Sequence, residues 1–138
     1  MDGCPRERRQ VPLNNTKCIF CDIKQNRIIS EDQSFIVIRD AFPVTFLHTL
    51  IIPKRHVETY FDLSIKEIME LNKTLADEKA RLESEDPSIT GFNIGMNCGK
   101  DAGQTVMHCH IHLIPRRKGD VDDPRGGVRG VIAKMQKY

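Results

Sequence analysis

In the stretch QTVMHCHIHLIPRRKGD, Gln104 to Asp120, histidine recurs at two-residue spacing as His108, His110 and His112. Side chains alternate across an extended chain, so a strand here would turn all three imidazoles to one face. A neutral imidazole is a nucleophile and a metal ligand, a protonated one is a hydrogen-bond donor, and the ring titrates near pH 6.5. Three uses therefore compete. The bland one is a row of surface histidines, and three in register argue against accident. The second is a metal centre. At roughly 3.3 Å per residue, His108 and His112 lie about 13 Å apart, too far for one ion with bonds near 2.0 Å to gather all three. Adjacent members such as His108 and His110 remain within reach of a shared ion. The third use divides labour among the rings for attack on, and stabilisation of, a phosphorus centre. The preceding loop favours it: Gly99 and Gly103, with the polar ends of Asn97 and Gln104, let backbone and side-chain donors approach phosphate oxygens.

A second spacing that carries chemistry is Cys18-x-x-Cys21, in CIFCDI. It is half of a metal site, and it is also compatible with a redox dithiol or with two reduced thiols. A redox pair lacks the βαβ context it would need. The five cysteines, Cys4, Cys18, Cys21, Cys98 and Cys109, are an odd number in a chain with no export signal, which argues against a disulfide framework.

The elements that must position these residues follow from pattern. A chain of 138 residues is long enough for one core and too short for two comfortable domains. The first seventeen residues form no apolar run of signal-peptide length, and no segment approaches the roughly 20 apolar residues that span a bilayer. A cytoplasmic protein with no membrane association is expected. A net charge of +2 points to no nucleic-acid partner. Ser34 to Asp40 and Phe46 to Pro53 are rich in β-branched and aromatic residues, with a turn between them, and predict two paired antiparallel strands. Between Leu63 and Glu85 the period lengthens: Ser64 and Glu67 make a capping box, Leu63 and Ile68 a staple, and Ile68, Leu71, Leu75 and Leu82 one apolar stripe. A long helix ends before Pro87. Thr90 to Asn97 and Met107 to Pro115 read as two further strands, the last closed by its proline. The order strand, strand, helix, strand, strand is α+β with an antiparallel sheet.

HCHIHLI fits His-φ-His-φ-His-φ-φ, with φ apolar and Cys109 in one such slot, and this resembles the signature of the histidine triad nucleotide hydrolases and transferases. CIFCDI, FIVIRD, HTLIIPKRH, the helix and NCGKDAGQTVMHCHIHLIPR fall in the family's order. The resemblance implies a domain over residues 17–117, with one long and one short helix, followed by an extension (118–138); the polar start, which has no periodicity, reads as a flexible tail (1–16). It also implies a homodimer and a purine nucleotide substrate. By the same resemblance His110 is the nucleophile at the α-phosphorus, His112 binds the phosphate and assists the leaving group, and His48 is an upstream pocket histidine. Asp40 falls beside the ribose hydroxyls, and Asn97, Gln104 and Thr105 fall on the phosphate side. Where the family commonly has glycine before the upstream histidine, this chain has Leu47. Members with an amino-terminal cysteine pair imply a structural zinc held by Cys18, Cys21, His56 and His108. Similar extensions imply that GDVDDPRGGVRGVI packs near a nucleotide pocket, with Arg125 and Arg129 as polyphosphate contacts. The expected activity is cleavage at the α-phosphorus of a dinucleoside polyphosphate or related conjugate through a nucleotidyl-histidine intermediate. The alternatives are a nucleoside phosphoramidate hydrolase, a nucleotide-binding module with vestigial catalysis, or a hydrolase using His108 and His110 as metal ligands.

Overall fold

A computed structural model describes residues 18–138, so the tail expected over residues 1–16 lies outside the described residues. The chain runs β1 (Ile28–Glu31), β2 (Phe35–Arg39), β3 (Thr49–Pro53), α1 (Ile65–Glu85), β4 (Ile89–Gly95) and β5 (Ile111–Arg117), with short 3-10 turns such as Tyr60–Asp62 between them. All strand pairs are antiparallel, in the order β1-β2-β3-β5-β4. β1 extends the expected four strands to five.

Alternation decides which face each strand residue joins. Phe35, Val37, Ile51 and Ile111 pack with Leu63 and Leu71 on the helix side of the sheet. Ile38, Leu50 and Ile52 pack with Phe20 on the other side. β3 lies at the centre and all five of its residues are buried, as expected for a strand covered on both faces.

α1 begins as its sequence predicts. Ser64 Oγ accepts from Glu67 N at 3.1 Å, and Glu67 Oε1 accepts from Ser64 N at 2.8 Å, a reciprocal cap worth about 1 kcal/mol. The buried stripe is more polar than expected. Leu71 and Leu82 share it with Glu67, Thr74 and Glu78, and each polar member has a hydrogen-bond partner, although Oε1 of Glu78 is buried without one. Arg55 donates to both oxygens of Glu67 at 2.8 and 3.1 Å, Thr74 donates to Asp32, and Ser30 and Arg81 donate to Glu78.

β5 differs from expectation at both ends. It starts at Ile111 rather than Met107, because the preceding segment is tied elsewhere: Cys109 N donates to Val57 O at 2.7 Å, in the loop after β3. It also continues past Pro115 to Arg117. The β3 register on β5 stops at Leu113, and the Pro115 carbonyl accepts from Thr45 Oγ1 at 2.7 Å. The backbone edge of Pro115 therefore faces the 41–48 loop, where its missing N–H removes no ladder bond.

Candidate active site

The loop joining β2 to β3 is closed around Asp40 and His48. Asp40 N donates to His48 O at 2.9 Å, and His48 N donates to Thr45 O at 3.1 Å. The Asp40 side chain folds back, with Oδ1 accepting from Phe42 N at 2.8 Å. Leu47 completes the turn with φ at +73°, a region that favours glycine and strains a bulky side chain. The loop thus takes the conformation glycine would supply, with leucine in its place. The buried His48 immediately precedes β3 and is brought alongside β5, because Leu50 pairs with His112.

There His48 Nε2 lies 2.9 Å from His112 Nδ1. The proton positions follow from the partners. Val44 N donates to His48 Nδ1 at 3.0 Å, so Nδ1 is an acceptor and Nε2 carries the hydrogen that His112 Nδ1 receives. His112 therefore presents Nε2–H outward. Burial lowers the pKa of His48, and the neighbouring Asp40 carboxylate only partly opposes it. Burial, then His110 and His48, lower that of His112 to about 4, against a smaller opposing pull from Asp40.

His110 is fixed in the opposite sense. Its Nδ1 donates to the His108 carbonyl at 2.8 Å, which leaves the lone pair on Nε2. Its ring stands 5.4 Å from that of His112 and 5.1 Å from the Phe20 ring edge, centroid to centroid. Phe20 was not singled out in the sequence, although its place between the two cysteines was a signal. That position seats it against His110.

His108 is engaged by different partners. It is completely buried, and its Nε2 donates to Pro53 O at 2.8 Å. Its Nδ1 lone pair looks onto Cys18 Sγ at 3.3 Å, Cys21 Sγ at 3.7 Å and His56 Nδ1 at 3.1 Å. The four ligand atoms lie within 4.8 Å of one another. A tetrahedral ion with bonds near 2.3 Å to sulfur and 2.0 Å to nitrogen has ligand–ligand edges of roughly 3.3–3.8 Å, so the four residues could hold a metal ion once Cys21, which the structure places in a disulfide, is reduced to a thiolate. Asp40, His48 and His112 also approach one another closely enough, but there the donor chemistry opposes an ion. With Val44 N–H on Nδ1, His48 would have to lose its last ring proton to bind metal through Nε2. That cluster is a hydrogen-bonded relay. Among the described residues His110 joins neither group.

The glycine loop is built differently from expectation. Gln104 is buried, and its amide is engaged within the loop: Oε1 accepts from Gly99 N at 2.8 Å, and Nε2 donates to Glu58 O at 2.7 Å and Val106 O at 3.1 Å. It shapes the loop from inside. Gly99 and Gly103, at φ of +101° and +102°, make the bends. Asn97 is half-buried and packs against Gly103, and Thr105 is exposed. The extension packs at the far end of β5, on the same sheet face as His112, where Arg116 donates to Asn93 Oδ1 at 2.7 Å and pairs with Asp120. Arg129 donates to the Met135 and Gln136 carbonyls and lies over the Tyr138 ring, and so closes the extension on itself.

A five-stranded antiparallel sheet with one long helix, carrying a histidine pair on one face and a Cys/His cluster beside it, defines the class. The HIT domain family model matches residues 22–119, and the chain belongs to that family. It is 38% identical over 105 residues to an uncharacterized HIT-like protein of Mycoplasma genitalium, covering 73% of this chain and 74% of that one. Among solved structures it resembles a HIT family hydrolase from Legionella pneumophila, with TM-score 0.62 and 32% identity over 74% of this chain and 95% of that one. It also resembles the Plasmodium falciparum diadenosine triphosphate hydrolase in complex with Cyclomarin A, with TM-score 0.67 and 26% identity over 82% of this chain and 74% of that one. No helix among the described residues is long and apolar enough to cross a membrane.

Proposed function

We propose that this protein is a nucleotide hydrolase or transferase acting at the α-phosphorus of a purine dinucleoside polyphosphate or related conjugate, with His110 as nucleophile. The observation that carries the reading is the pair of opposed tautomers: His110 offers a bare Nε2, and His112 beside it offers an Nε2–H. In the first step His110 Nε2 forms a bond to the α-phosphorus as the bond to the leaving phosphate oxygen breaks. The leaving group departs with the bonding pair. The charge that develops on the imidazole is spread toward the His108 carbonyl through Nδ1–H, and His112 donates to a phosphate oxygen. In the second step water attacks phosphorus and loses a proton to solvent, the P–N bond breaks with its electron pair returning to His110 Nε2, and the mononucleotide and free His110 are released. An alcohol or phosphate acceptor in place of water makes the same cycle a transfer.

Asp40, Asn97 and Thr105 are the proposed nucleotide contacts, with Gln104 holding the loop that presents them. Cys18, Cys21, His56 and His108 would hold a zinc ion whose role is to tie the amino-terminal segment to β3 and the approach to β5. With all four positions filled by protein, zinc supplies cross-linking and no activated water. The sheet ends on β4, and a two-fold pairing of copies would cover that edge. Light scattering at micromolar concentration should then report about twice the chain mass, and a fully active monomer would refute the pairing.

Rapid quench of the enzyme during turnover of a diadenosine polyphosphate, followed by mass spectrometry, should recover nucleotide on an acid-labile bond to His110. Turnover with no such adduct, or with the adduct on another residue, would overturn the assignment. The same assay run with an adenosine phosphoramidate ranks the two leaving-group classes. Nucleotide binding without release would favour a non-catalytic module.

A further inference from the structure

Asp40 directly follows β2, and its carboxylate is committed before any nucleotide arrives. Oδ1 is taken by Phe42 N–H at 2.8 Å. Oδ2 stands 3.4 Å from His48 Nε2 and 3.9 Å from His112 Nδ1, and the side chain is only 15% exposed. The single hydrogen on His48 Nε2 is directed at the His112 ring nitrogen, with the Asp40 carboxylate beside it at charge-pair distance. Val44 N–H closes the other nitrogen of His48, so that hydrogen cannot move across the ring without losing a bond and creating a donor–donor clash.

We propose that Asp40 is a positioning residue of the histidine relay: through His48 it holds His112 in the tautomer that points Nε2–H at the substrate. This rests on the reading that His112 serves the phosphate, and it differs from a role confined to the ribose. A carboxylate at this place favours a donor at His48 Nε2 on electrostatic grounds, whatever the substrate carries. An amide there would turn either its oxygen or its own N–H toward the same hydrogen, and the preference would be lost. The groups facing His112 are Asp40, His48 and His110. Of these only Asp40 is anionic.

The test has two arms. In nucleotide-free protein, imidazole nitrogen shifts read tautomers directly: the wild type should show His48 protonated at Nε2 and His112 bare at Nδ1. Asp40→Asn should shift the His48 Nε2–H resonance and mix the His112 tautomers. In the second arm kcat and KM are compared for adenosine and 2′,3′-dideoxyadenosine forms of one substrate. Asp40→Asn should lower kcat roughly tenfold on both, with KM little changed, as expected when proton placement is disturbed. A defect seen only with the ribose substrate and carried by KM, or unchanged tautomers in a folded Asp40→Asn protein, would overturn the proposal. If the wild type turns over no nucleotide, the proposed function fails, while the relay is still judged by the nitrogen shifts alone.

Discussion

His48 donates from Nε2 to His112 Nδ1 across 2.9 Å, with Val44 N–H holding the opposite nitrogen of His48. A second proton on His112 has only Nδ1 to occupy, and there it would meet the His48 N–H head-on. Geometry and burial thus act in the same direction. The ring is kept neutral by its partner as well as by its surroundings, and it donates without carrying charge.

Acid should therefore unfold this protein earlier than its carboxylates alone would. The folded pKa of His112 is about 4, against about 6.5 in an unfolded chain. Between those values the unfolded chain takes up a proton that the folded one refuses. Stability is full above about pH 6.5 and falls as the pH drops toward 4. Unfolding free energies from urea titrations at pH 7.5 and pH 5 should differ by roughly 2 kcal/mol on account of this ring, and His112→Asn should flatten the slope. A pH-independent midpoint across that window would contradict the buried neutral state.

Removing the His110 ring deletes the attacking nitrogen and little that would bind phosphate. His110→Ala should lose roughly four orders of magnitude in kcat and retain nucleotide binding within a few-fold by calorimetry. Near-normal turnover would show that another group attacks phosphorus.

Metal should matter to stability before it matters to chemistry. Protein prepared without chelator should contain about one zinc per chain by elemental analysis. Cobalt replacement should give the intense visible bands of a thiolate-bound tetrahedral ion. Cys18→Ser should lower the melting temperature by about 10 °C, a loss of a few kcal/mol at this size. Metal-free protein with the melting temperature of the parent would mean that no ion is bound.

Leu47 tests backbone strain in the turn before His48. Its side chain packs at the edge of the Leu82, Ile89 and Leu113 cluster, so Leu47→Gly exchanges packing for relief of about 1–2 kcal/mol of left-handed strain and should leave stability within about 1 kcal/mol. Leu47→Val keeps much of the bulk and places a β-branched residue at positive φ, and should cost 2 kcal/mol or more. Equal effects in thermal melts would show that the turn relaxes.

The parts of the fold that were legible are those where one local rule acts alone. Ser64 and Glu67 announced the helix start, and Ile36, Ile38, Leu50 and Ile52 announced two strands. The cluster of Cys18, Cys21, His56 and His108 draws on separate segments, and its composition came through resemblance to a family with the same spacing. β1 was missed because four residues, Ile28–Glu31, half-buried and half-exposed by turns, give too short an alternation beside a polar turn. Two-residue spacing predicts three histidines on one face only where the chain is a strand. His108 and His110 precede β5, and the Val57 carbonyl draws that segment aside. Gln104 was expected to face phosphate. Which way an amide turns depends on carbonyls such as Glu58 O, forty-six residues away, and no local pattern encodes that.

The order β1-β2-β3-β5-β4 carries one more consequence. Among the described strands β5 is made last and lies inside the sheet, between two strands completed earlier. While the chain is being synthesised, β3 and β4 have no common neighbour, and the slot between them fills only when residues 111–117 emerge. A ribosome-stalled chain ending before Ile111 should remain sensitive to protease across β4, and one extended past Arg117 should become resistant in a single step. Closure of the sheet and delivery of His112 are then one event, so no half-built sheet presents the histidine pair.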